Sequence, residues 1–164
     1  MKTILLSLPI LLCAALPAAA QMKAQVLPPW DGKKVPAGQH CSLQGGNGST
    51  PPIQVTGMPS GTTMIVVEYN DKSFSPLSSG GGHGIIGYQV SGTSAKLPAV
   101  PGMTQKMPRG VVMIKKARTD GKYASDGYLP PCSGGRGNRY VATVKAISDA
   151  GKVLSKKVIR LGRY

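Results

Sequence analysis

The chain has 164 residues and carries 20 Lys and Arg against 6 Asp and Glu, a formal charge of +14 at pH 7. The cations are scattered in short groups (Lys33-Lys34, Lys115-Lys116 with Arg118, Lys156-Lys157, Arg160, Arg163). One Trp, one Phe and six Tyr offer little on which to stack bases, so specific nucleic-acid binding is excluded. Two readings of the charge remain, a plain cationic surface or attraction to acidic membranes and cell-surface polymers.

Residues 1–20 read as a cleaved secretory leader. Lys2 starts it, Ile4 to Leu16 is apolar but too short to span a bilayer, and Ala18-Ala19-Ala20 offers small residues for cleavage before Gln21. Cys13 follows Leu12 instead of the small residue that lipoprotein processing needs. Residues 21–164 then form one domain that is periplasmic or secreted, with 19 basic and 6 acidic side chains, a charge of +13. Its cysteines are Cys41 and Cys132, and an even pair in an exported chain predicts one disulfide. A metal site from His40, Cys41, Cys132 and His83 lacks ligand spacing, so neither metal nor cofactor is expected.

In chain order, Lys23 to Leu27 reads as a short edge strand, followed by Pro28-Pro29 and Trp30. Cys41 to Pro52 is turn chemistry, with a formal glycosylation acceptor at Asn47-Gly48-Ser49. Thr62 to Tyr69 is a near-continuous apolar run, hence a central strand. Asn70-Asp71-Lys72-Ser73 reads as a turn. The loop Ser78 to Gly84 leads to a strand from Ile85 to Val90, with Ile86, Tyr88 and Val90 on one face. Ser91 to Gly110 reads as a long connection with three prolines. Val111 to Ile114 is a short strand, and Lys115 to Ser125 is loop. The last strands, Tyr140 to Ile147 and Val153 to Leu161, form a hairpin across Ser148 to Lys152. No segment carries a helical stripe with caps, so the class is all-β.

Asp126 to Val141 organises the rest. Pro130-Pro131 stiffens the chain and cannot enter a central strand; Gly134, Gly135 and Gly137 loosen it; Tyr140 opens the next strand. A stiff loop bearing Cys132 beside a strand start is how a sheet protein builds a pocket rim, and also how it makes a plain turn. His83 sits at another strand mouth behind three glycines, where the backbone leaves space. No nucleophile elbow, phosphate loop or carboxylate pair is present, and nothing strains Ser78 or Ser79 toward His83 and Asp71, so the chain reads as a non-enzyme.

In order, the motifs resemble those of the phosphatidylethanolamine-binding proteins, in particular the bacterial Raf-kinase-inhibitor-like branch. Cys41 to Pro52 resembles that branch's cysteine, glycine, asparagine and Ser-Pro-Pro opening. Met64 to Glu68 with Tyr69-Asn70-Asp71 resembles its strand and Asp-Pro-Asp motif, and His83 to Tyr88 its His-Trp strand. Gly127 to Cys132 resembles its Gly-Tyr-x-Gly-Pro-Cys loop, and Asn138-Arg139-Tyr140-Val141 its His-Arg-Tyr strand start. The stretch Val153 to Tyr164 resembles its closing strand.

The resemblance implies a single-domain antiparallel β-sandwich with long loops, little helix and a small anion pocket. By position it implies ligand contacts from His83, Tyr140, Asn138 and Asp71, with Pro131 and Cys132 forming a wall. It departs from the pattern at Tyr69 (aspartate expected), Gly84 (tryptophan) and Asn138 (histidine), and in lacking a helix between Ile147 and Val153. His83 would then be the titratable group of the pocket, near pH 6.5 if unperturbed. The expected function is an exported binding protein for a small anion or phosphorylated head group. The alternative is an exported modulator of a protein partner, such as a hydrolase or kinase, with a vestigial pocket.

Overall fold

Two runs of alternating burial set the architecture. In β3 (Thr62–Asp71) Ile65, Val67 and Tyr69 point inward and are almost fully buried; in β7 (Arg139–Ser148) Tyr140, Ala142, Val144 and Ala146 do the same. These strands pair antiparallel, with Val67 opposite Val144 and Asp71 opposite Tyr140. The computed structural model describes residues 21–164, and the leader reading of residues 1–20 lies outside them.

The remaining strands are β1 (Lys23–Val26), β2 (Ile53–Thr56), β4 (Gly84–Gln89), β5 (Ser94–Leu97), β6 (Val111–Lys115) and β8 (Val153–Arg163). They form a five-stranded sheet in the order β6-β4-β3-β7-β8 and a three-stranded sheet in the order β1-β2-β5, antiparallel throughout. The inner faces share one core. Ile53, Val55 and Leu97 come from the small sheet, and Ile65, Val67, Ile86, Tyr88 and Val144 from the large one. Burying each aliphatic side chain is worth about 1.5–3 kcal/mol. The all-β expectation and the two-sheet sandwich hold. Helical structure among the described residues is confined to single turns at Ser42–Gln44, Ser75–Leu77 and Gly121–Tyr123. No helix there is long and apolar enough to cross a membrane.

Three expectations change. The chain does not turn at Asn70: β3 runs on through Asp71, because Asn70 and Asp71 pair with Val141 and Tyr140. The low-complexity stretch Ser91 to Gly110 contains β5, and Ile53–Thr56, to which no strand was assigned, is β2. These two four-residue strands lie among turn-rich sequence that hides their short periodicity, and they are defined by pairing with each other.

Cys41 and Cys132 form a disulfide across 91 residues, with Cα atoms 5.2 Å apart. The Cys41 amide also donates to the Pro131 carbonyl at 3.0 Å, so the early glycine loop is pinned to the Pro130-Pro131 segment.

Candidate functional site

Asn70 prepares the approach to His83. Its side-chain oxygen accepts the Gly81 and Gly82 amides at 3.0 and 3.1 Å, folding the glycine loop onto the end of β3. Gly81 has φ of +68°, a conformation other L residues rarely adopt. The His83 amide then donates to the Tyr69 carbonyl at 2.9 Å, and the Leu129 amide donates to the His83 carbonyl at 2.9 Å. His83 is thereby clamped by backbone on both sides, and the residue is only 3% exposed.

The ring's Nδ1 lies 2.7 Å from the Leu129 carbonyl oxygen. A carbonyl only accepts, so Nδ1 carries the proton, and in the neutral ring Nε2 is left as an acceptor. Nε2 has no partner within the protein. Burial lowers the His83 pKa below its ordinary 6.5, against the opposing pull of the Leu129 carbonyl and the Asp71 carboxylate. At neutral pH the ring is therefore an uncharged acceptor, where the sequence alone suggested a group titrating near 6.5.

His83 borders a cavity of about 430 Å³ whose walls come from six separate segments. Asp71 ends β3, Phe74 to Leu77 form a turn, and Arg118 to Tyr123 form the opposite loop. Leu129, the stretch from Cys132 to Asn138, and Tyr140 complete it. Tyr140 meets His83 edge to face, with ring centroids 5.4 Å apart. Asp71 is buried: Oδ1 accepts the Ser73 amide at 2.8 Å and Oδ2 accepts Asn138 Nδ2 at 2.6 Å. The Tyr140 hydroxyl accepts the Cys132 amide at 3.3 Å. Burial foremost, with the Asp71 carboxylate nearby, pushes the Tyr140 phenol up to about 12 against hydrogen bonds from Ser133 and Cys132. It stays protonated and neutral at physiological pH.

Four of the five expected ligand residues, His83, Tyr140, Asn138 and Asp71, line this cavity, and Cys132 lines it too. Pro131 does not. It is buried, its carbonyl is taken by Cys41, and the diproline packs toward the early glycine loop. Tyr69, in the position where the resemblance calls for an aspartate, belongs to the core. Its hydroxyl lies 3.3 Å from that of Tyr88 and its ring packs 4.8 Å from Tyr128. Asp71, two residues on and facing the same side of β3, supplies the carboxylate instead. Gly84, where the resemblance calls for a tryptophan, has φ of +120°, and a Cβ there would sit 3.2 Å from the Tyr128 Cα, so the Tyr128 backbone packs closely against it.

The sequence missed Phe74, Arg118, Thr119, Tyr123 and Arg136 as cavity residues. Arg118 ties the two rims together, donating through Nη2 to the Pro76 and Ser79 carbonyls at 2.9 and 2.8 Å. Arg136 could have been found, as a lone cation between Gly135 and Gly137 in a loop already marked as a rim. Thr119 carried no signal. Its Oγ1 and His83 Nε2 are the two buried side-chain polar atoms, among the described residues, that lack a partner within the protein, and both residues line this cavity.

No family model matches the chain, and no curated protein matches it significantly.

Proposed function

We propose that the protein is an exported, non-enzymatic binding protein whose cavity holds a phosphorylated head group or other small anion. The phosphatidylethanolamine-binding scaffold suggested by the sequence motifs is part of this reading. One observation carries it: the two residues whose buried polar atoms lack a partner within the protein, Thr119 and His83, both line this cavity. An unpaired buried polar atom costs about 1–3 kcal/mol, a penalty that a ligand bonding to both removes.

The polar groups suit a phosphate monoester. Neutral His83 accepts from a protonated phosphate oxygen, Thr119 and Tyr140 offer hydroxyls, and Arg118 and Arg136 place positive charge at the mouth. Binding is favoured over catalysis because Nδ1 of His83 is held by the Leu129 carbonyl, not a carboxylate, and the Ser78 hydroxyl donates to Ser75. Export is supported by the disulfide and by the leader-like composition of residues 1–20.

Exposed Phe74 and Pro76 at the mouth favour the second reading, a modulator that docks a protein partner there. Calorimetric titration with phosphoethanolamine and phosphate separates the two. Saturable binding, weakened at least tenfold in both Thr119→Val and His83→Gln, supports the cavity reading. Binding that is absent, or indifferent to both substitutions, passes the lead to the modulator.

A further inference from the structure

A second cavity, of about 410 Å³, lies beyond the His83 site, and Tyr140 borders both. Its walls carry five cations, Lys33, Lys72, Arg139, Arg160 and Arg163, and no acidic side chain. We propose that this cleft is a second, independent site that binds a multivalent oxyanion, meaning clustered phosphate or sulfate groups, free or carried on a polymer.

The cleft is built by backbone contacts that draw the cations together. The Asp31–Lys34 turn is laid along the end of β8: the Arg163 amide donates to the Lys33 carbonyl, and the Val35 amide to the Arg163 carbonyl, each at 3.0 Å. Two glycines permit this approach. A Cβ on Gly162, at φ of +132°, would lie 2.6 Å from the Lys34 carbonyl carbon, and one on Gly32 would lie 3.2 Å from the Arg160 carbonyl oxygen. From the other side, the Lys72 amide donates to the Arg139 carbonyl at 2.7 Å, which seats Lys72 beside the start of β7.

Asp31 keeps its charge beside the turn and offsets part of that of Lys33, which leaves the cleft with an excess of cations. Asp31 Oδ1 accepts the Lys33 and Lys34 amides at 2.8 and 3.2 Å, so it caps the turn. The ion pairs among the described residues, Lys116–Asp126 and Lys145–Glu68, lie elsewhere. Lys72 Nζ and Arg163 Nη1 donate to the Ser78 and Gly137 carbonyls, at 2.8 and 3.0 Å, which fixes them without removing their charge. Gathering like charges opposes folding, and a multivalent anion relieves that repulsion where a monovalent counterion is soon screened away. Three of the five are arginines, whose planar forks suit phosphate and sulfate oxygens.

The test is calorimetric titration of the purified protein at low salt with tripolyphosphate, inorganic phosphate and dextran sulfate. Tripolyphosphate should bind at least about tenfold tighter than phosphate, and more weakly as salt rises. Arg139→Gln with Arg160→Gln should cost about tenfold or more in affinity, having removed two charge-assisted contacts. Lys115→Gln with Lys116→Gln, an equal loss of charge elsewhere, should stay within about twofold, as expected of screened, distant charges. All these side chains are exposed, and thermal midpoints no lower than that of the unaltered protein confirm that both double variants fold. Parallel loss of dextran sulfate binding assigns the site to anions on a polymer; loss for tripolyphosphate alone assigns it to free oligophosphates. Equal weakening in both double variants, or no preference for tripolyphosphate over phosphate, overturns the proposal. His83→Gln should leave tripolyphosphate binding intact, so this site and the His83 cavity succeed or fail separately.

Discussion

His83 and Leu129, 46 residues apart in the chain, each donate one hydrogen bond to the other's carbonyl oxygen: Leu129 through its amide at 2.9 Å, His83 through Nδ1 at 2.7 Å. This reciprocal pair fixes the imidazole tautomer and joins the mouth of β4 to the loop that carries the disulfide. It also decides what the ring presents to the cavity, which at neutral pH is a lone pair.

That tautomer predicts a difference between two anions of similar shape. A phosphate monoester, whose second pKa is near 6, still carries a proton in about a tenth of its molecules at pH 7, and that form can donate it to Nε2. Sulfate brings none, so it binds only once His83 is itself protonated, below its lowered pKa. Phosphoethanolamine should therefore bind weakly at pH 7, on the order of millimolar or about 4 kcal/mol. Sulfate should show no binding at pH 7 that His83→Gln removes, and this His83-dependent affinity should rise as pH falls. Titrations stepped down from pH 7 check this, and sulfate affinity that stays flat for as long as the protein remains folded would refute the reading of His83 as a neutral acceptor.

Stability without ligand should carry the same signature. The folded pKa of His83 is depressed and the unfolded value is about 6.5, so below 6.5 the unfolded chain binds more protons. The stabilising contribution is complete above pH 6.5 and is lost as pH falls from there through the folded pKa. Urea midpoints measured from pH 8 to pH 5 should decline over the acid half of that range. In His83→Gln the decline should be shallower, since the group responsible no longer titrates.

The disulfide between Cys41 and Cys132 closes a long loop, and its loss should cost about 4–5 kcal/mol on the chain-entropy account. Thiol counting on unreduced protein should find neither of these sulfurs free. Reduction should lower the thermal midpoint and loosen the cavity rim, since Cys132 lines the cavity and its amide bonds to the Tyr140 hydroxyl. An unshifted midpoint after verified reduction would contradict the assignment.

Gly84 offers a separate test of how the protein departs from the motif it resembles. With φ of +120° and the Tyr128 Cα 3.2 Å from the place a Cβ would take, Gly84→Ala should destabilise by about 1–3 kcal/mol. Gly92→Ala is the control, because its φ is also positive (+77°) but nothing lies within 4 Å. Equilibrium denaturation should show the larger loss at Gly84, the excess combining its more strained φ with the close approach of the Tyr128 backbone.

The strand pattern was legible in the sequence because burial on one face leaves a period of two, and a central strand leaves an apolar run. Thr62–Asp71, Arg139–Ser148 and Val153–Arg163 are long enough to show it, and the even cysteine count in the expected exported chain pointed to the bridge. The strands at Ile53–Thr56 and Ser94–Leu97 were not legible, because their pairing partners and not their own letters make them strands. His83 and Tyr140 could be singled out because glycines and a strand start mark the places where a chain opens space, whereas Asp71 and Asn138 were implied only by the motif resemblance. Tertiary structure alone decided that Tyr69 faces the core while Asp71 faces the cavity, and that Thr119, Arg118 and Arg136 complete its walls. It alone brought Lys33 beside Arg160 and Arg163. Loop residues carry no periodicity, and the hydrogen bonds and close backbone contacts that place them join segments far apart in the chain.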